Sequence, residues 1–203
     1  PGFVANATED GQINNLLLRN NTIQNNGVAA NGGGISLNTV AANSAQINGA
    51  ILNNVLSGNT GPGILATANT GAINLSQIDG NSLDGNTTSV VLNTLNNGTI
   101  ATRVTNNTMN TSLSDGFVAT ADTGVITLNE VSGNTLNSAG RNGIVLTALN
   151  GGTIDIPNSE DINGNGTLDL GEDVNNNGFL DRGLRDNLLN NPVANGLFVT
   201  GTN

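Results

Sequence analysis

The chain has 203 residues, 28 of them Gly, with 15 acidic side chains against five basic ones, a net charge of −10 and only 2% aromatic residues. It contains no Cys, His, Trp or Tyr, and all five basic residues are Arg. That composition excludes the usual zinc site, a thiol nucleophile, a disulfide framework and a Ser-His-Asp triad; it also lacks the basic patches and stacking aromatics of nucleic-acid recognition, and no apolar run approaches the ~18 residues of a membrane span.

In chain order, the sequence returns to the same three segments. It opens on Gly2-Phe3-Val4-Ala5, and the pattern Gly-apolar-x-small/apolar recurs from Gly34, Gly63, Gly116, Gly143 and Gly196, with Ser89 replacing the Gly before Val90-x-Leu92. Next comes an Ile, usually just after a Gly: Ile13, Ile47, Ile73, Ile100, Ile126 and Ile154. The third segment is apolar-x-x-Asn-x-apolar, as Leu18/Asn21/Ile23, Ile51/Asn54/Leu56, Ile78/Asn81/Leu83, Val104/Asn107/Met109, Val131/Asn134/Leu136 and Leu184/Asn187/Leu189. Successive Asn residues lie 33, 27, 26, 27 and 53 positions apart, so one repeat is close to 27 residues and the last step holds about one repeat of extra chain. A fixed order of three columns at this period is the signature of a stacked repeat.

Each segment is short, alternates with period two, is rich in Ile, Val, Leu and Thr, and is bounded by Gly and Asn; this is strand chemistry with turn punctuation. The expectation is an all-β parallel solenoid of about six turns, three strands per turn, forming a rod roughly 30 Å long at ~4.8 Å per turn. Inward Ile, Leu and Val then make continuous ladders, which lets a chain poor in aromatics fold. The recurring Asn21, Asn54, Asn81, Asn107, Asn134 and Asn187 are expected to stack as an amide ladder at a sharp bend, because Asn tolerates the left-handed backbone and its amide both donates and accepts.

These columns resemble a right-handed parallel β-helix of the pectate-lyase-like superfamily, built from repeats of the kind found in large bacterial surface proteins. The resemblance covers nearly the whole chain and implies a fold, not an activity, because that scaffold carries lyases, hydrolases, adhesins and inert stalks. Residues 1–203 read as one β-helix domain, a segment of a longer secreted solenoid. Both ends fall in the Gly-apolar column with no polar cap, so head-to-tail stacking is expected.

The extra chain in the last step, residues 158–183, carries the most specific motif. Asp161, Asn163, Asn165, the Thr167 carbonyl, Asp169 and Glu172, with Gly166 at the sixth position, follow the calcium spacing of an EF-hand loop. A second loop follows with Asp173, Asn175, Asn177, the Phe179 carbonyl and Asp181, but Leu184 stands where its bidentate carboxylate belongs. Back-to-back loops without helices resemble the calcium segments of dockerin-like and thrombospondin type 3 repeats. Ca²⁺ wants six to eight hard oxygens, and the Asn ligands lower the ligand charge, which suggests affinity on the order of 10⁻⁴–10⁻³ M.

Catalysis is not expected. Acid and base must flank one bond at ~5–9 Å, yet no two carboxylates share a column on neighbouring turns. Arg182 and Arg185, beside the insert, are the only candidates for a lyase base. The leading expectation is an extracellular structural or adhesive segment rigidified by Ca²⁺, partnered by further copies of itself or by a cell-surface polysaccharide, with no nucleic-acid or membrane partner. A polysaccharide-binding or polysaccharide-degrading β-helix is the alternative.

Overall fold

Short runs of β-branched and small residues, most of them cut off by a residue at positive φ, oblige the backbone to turn after every few strand positions. The computed structural model describes residues 1–27, 33–40, 44–157 and 183–202. The first turn is β1 (Phe3–Thr8), β2 (Gln12–Arg19) and β3 (Thr22–Gln24); the second is β4 (Ile35–Val40), β5 (Gln46–Leu52) and β6 (Val55–Ser57). The third is β7 (Ile64–Asn69), β8 (Ala72–Asp79) and β9 (Ser82–Asp84), and the fourth β10 (Val90–Leu95), β11 (Thr99–Thr105) and β12 (Thr108–Asn110). The fifth is β13 (Phe117–Asp122), β14 (Val125–Ser132) and β15 (Thr135–Asn137). The sixth holds β16 (Ile144–Leu149), β17 (Thr153–Asp155), β18 (Gly183–Arg185) and β19 (Leu188–Asn190), and β20 (Leu197–Gly201) opens a seventh.

Every pairing is parallel and joins a strand to its copy one turn away, giving three sheets: A (β1-β4-β7-β10-β13-β16-β20), B (β2, β5, β8, β11, β14, then β17 and β18) and C (β3-β6-β9-β12-β15-β19). The molecule is a parallel β-helix, as the three columns predict. The register puts like on like: Ile47 beside Ile73, Ile100 beside Ile126, and Val90 beside Phe117. Ile35, Ile64, Ile73, Leu83, Ile100 and Phe117 are fully buried in one continuous core between the sheets.

The corners differ from expectation in one detail. The left-handed residue is the one before each ladder Asn, namely Asn20, Asn53, Gly80, Asn106, Gly133 and Asp186, while the ladder residue keeps negative φ. A second left-handed series, Asn25, Gly58, Gly85, Thr111, Ser138 and Asn191, closes the far end of every sheet C strand. Sheet C is therefore short because a residue at positive φ stands at each end of it.

A two-turn alternation overlies the 27-residue period. From the core Ile near the start of each sheet B strand to the core residue near its end is five residues in β2, β8 and β14 (Ile13 to Leu18, Ile73 to Ile78, Ile126 to Val131) but four in β5 and β11 (Ile47 to Ile51, Ile100 to Val104). Each register shift is a β-bulge, one extra residue on alternate turns. From the third turn on, the sheet A-to-B corner compensates: the step from Ile64 to Ile73 and from Phe117 to Ile126 is nine positions, but ten from Val90 to Ile100 and from Ile144 to Ile154.

The outer face of sheet A carries three columns. The first is apolar at all but one turn (Val4, Ser36, Leu65, Val91, Val118, Val145, Phe198), and the middle one is Asn or Thr throughout (Asn6, Asn38, Thr67, Asn93, Thr120, Thr147, Thr200). The third alternates, with Thr8, Asn69 and Asp122 on odd turns and Val40, Leu95 and Leu149 on even ones.

Candidate functional site

The predicted amide ladder is present along the whole rod. Asn54 N–H and Nδ2–H both donate to Asn81 Oδ1, at 2.9 and 3.0 Å, and Nδ2 also reaches the Leu18 carbonyl of the previous turn at 2.9 Å. The same set repeats from Asn81 to Asn107, from Asn107 to Asn134 and from Asn134 to Asn187, and Asn21 donates to Asn54. Asn54, Asn81, Asn107 and Asn134 are almost fully buried, so each amide must find all its partners within the bend. The bonds run one way, every Asn donating to the next turn. The first turn thus presents an Oδ1 outward and the last an N–H.

Two further ladders, not found from the sequence, occupy the corner between sheets C and A. On the early turns Asn26 donates to Asn59 and Asn59 to Asn86. On the later turns another position takes over and the direction reverses: Asn195 donates to Asn142 Oδ1, and Asn142 N–H and Nδ2–H donate to Asp115 Oδ1 at 3.0 and 2.8 Å. Asp115 is a buried carboxylate ending a row of amides, with the exposed Arg141 guanidinium 3.7 Å from its other oxygen. Between the two systems a hydroxyl pair, Ser89 and Ser112, bridges at 2.8 Å. This corner varies in length: seven residues from Leu83 to Val90, eight from Leu136 to Ile144, twelve from Ile23 to Ile35. No single spacing advertises its ladders.

The calcium candidates Asp161, Asn163, Asn165, Thr167, Asp169, Glu172, Asp173, Asn175, Asn177, Phe179 and Asp181 lie outside the described residues, as does Arg182. Their point of attachment is described. Asp155 pairs with Thr127 and Gly183 with Glu130, both on β14, so the insert leaves and rejoins sheet B across the bulge of a single strand. Ladder and core resume directly, with Leu184 beside Val131. Arg185 turns to Asp186, 3.1 Å away, and its buried Nε has no hydrogen-bond partner among the described residues.

On the outside of sheet B, at the height of the bulges, a shallow groove of about 650 Å³ crosses β2, β5, β8, β11 and β14. Its surface is mostly apolar or small, with Leu17, Gly49, Ala50, Ser76 and Ala101 over the inward-packed Leu16 and Leu75, edged by Asn15, Asn48, Asn74 and Asn129 and by Arg103. The amides of Asn14, Asn48 and Asn74 hydrogen-bond in a row along one side. Among the described residues, no three acidic side chains come together as a metal cluster. Compared with family models, with curated proteins and with solved structures, the chain gives no match.

Proposed function

We propose that this chain is a rigid structural or adhesive segment of a secreted bacterial surface or filament-forming protein, stabilised by Ca²⁺ at its insert and stacking head-to-tail on further copies. The observation that carries the reading is the one-way amide ladder, in which every turn offers the next the same donor and acceptor set in the same column of the coil. Continuing the ladder from Asn187 to Asn21 of the next copy extends sheets B and C in column and brings β1 of that copy to the position of β20, so one of those two strands yields its place in sheet A. The donor set of the insert, carboxylates, amide oxygens and carbonyls, suits a hard divalent cation, and the ion would supply the positive charge that six neighbouring carboxylates need.

Electron microscopy and sedimentation of the chain in Ca²⁺ test the axial contact. End-to-end rods are expected, and Asn21→Ala, which removes the acceptor from the first turn only, shortens them. Compact monomers at every concentration would sink the reading. A second reading, binding of a neutral polysaccharide, is favoured by the apolar, amide-edged sheet B groove, which runs along the rod across successive turns. Filling it with Ser76→Trp abolishes retention on a polysaccharide matrix if this reading holds; retention that Ser76→Trp leaves unchanged removes it.

A further inference from the structure

We infer that the outer face of sheet A is a self-association surface, on which a second copy packs face to face with its rod antiparallel to the first. The inference concerns a lateral contact and does not depend on axial stacking. Three features of the face converge on it. First, the chain carries a net charge of −10, yet Asp122 is the only charged side chain among the outward positions of sheet A. Two such chains approach with little repulsion through this face.

Second, the column pattern is complementary to itself in one orientation. A two-fold axis parallel to the strands, passing through the middle strand β10, lays each column on its own copy and turn n on turn 8 − n. The apolar first column then covers itself. In the third column this operation keeps odd turns on odd and even on even, so Leu95 meets Leu95, Val40 meets Leu149 of the second copy, and Asp122 meets the Asn69 amide. With the rods parallel, the alternating column would lie on the apolar one and set Asp122 against Val118.

Third, the size is adequate. Seven strands at ~4.8 Å and three outward columns make a face of roughly 30 by 20 Å, about 600 Å² per copy, the lower limit of a specific interface. Val4, Val40, Leu95 and Phe198 on this face are each more than a third exposed in the single chain. The middle Asn and Thr column supplies hydrogen bonds across the axis in place of a dry zipper.

The chain has no Cys, so single cysteines report the contact directly. Asn93 sits on the axis, and an Asn93→Cys chain is expected to form a disulfide-linked dimer at least roughly tenfold faster than Thr108→Cys on the outside of sheet C. Sedimentation of the unmodified chain shows a concentration-dependent dimer. Val91→Asp, which sets two carboxylates against each other, raises its dissociation constant roughly tenfold or more while the melting curve is retained. Equal oxidation rates for the two cysteines overturn the inference, and if rods still form, the association is axial only. A chain that stays monomeric to about 1 mM also overturns it; if that monomer is held by a polysaccharide matrix and released by Val91→Asp, the face belongs to a glycan.

Discussion

Asn81 Oδ1 accepts two hydrogen bonds from Asn54, and its two Nδ2 hydrogens are shared among three acceptors, Asn107 Oδ1, the Ile51 carbonyl and the Asp79 carbonyl. Replacing this residue by Ala strands the Asn54 amide and the Ile51 carbonyl, both of them buried inside the bend. Asn81→Ala is therefore expected to lose about 2–4 kcal/mol in a urea titration, and a loss under 1 kcal/mol would show that the ladder only decorates the turn. The opposite sign is expected at Thr70, a β-branched residue at φ 65°. Asn accepts that conformation more readily, so Thr70→Asn gains about 1 kcal/mol in the same measurement. The main ladder was legible in the sequence because its bend has constant length, five residues from Ile78 to Leu83 as from Leu136 back to Val131. The ladders through Asn59 and Asn142 were not, because their corner changes length and the amide shifts position with it. Nor does composition distinguish an Asn that stacks from the neighbour that takes the left-handed backbone.

Strands here are defined less by their own propensity than by what stops them. Sheet C keeps three-residue strands because both flanks take positive φ, whereas sheet B strands run to eight residues and absorb their surplus in a bulge. At the bulge the neighbours come very close: a Cβ at Gly49 would lie 2.1 Å from the Leu16 carbonyl oxygen of β2. Gly49→Ala is expected to destabilise by about 2–3 kcal/mol, since backbone rather than a flexible side chain must give way. A melting temperature unchanged by this substitution would mean that β2 and β5 are not in the register described. The three strand columns could be read from periodicity because inward positions admit only apolar residues. The two-turn alternation escaped, because it is carried by outward and corner positions where Asn, Thr, Asp and Leu all fit.

The whole rod behaves as a one-dimensional stack in which each turn leans on its neighbours. Burial is complete in the middle turns and falls off in β1–β3 and β18–β20. Amide exchange should accordingly be slowest in β7–β14 and fastest in the outer turns, and a uniform rate along the chain would contradict the stacked architecture. If the insert binds Ca²⁺, metal at ~100 times its dissociation constant adds roughly 2.7 kcal/mol. Chelation then lowers the melting temperature and speeds cleavage within residues 158–183; a proteolysis pattern indifferent to chelator removes the calcium proposal.

Twenty-seven residues separate Asp155 from Gly183, yet both are tied to β14 three positions apart, and the next core contact forms undisturbed. The bulge thus works as a splice point, where foreign sequence can be added without the rest of the coil having to adjust. Comparable openings exist near Asn15 in β2 and Asn129 in β14. A flexible Gly/Ser segment grafted after Asn129 should leave the melting curve nearly intact, whereas the same graft after Leu136 should abolish folding. Such a rod can acquire or exchange side modules along one edge while its axis stays the same.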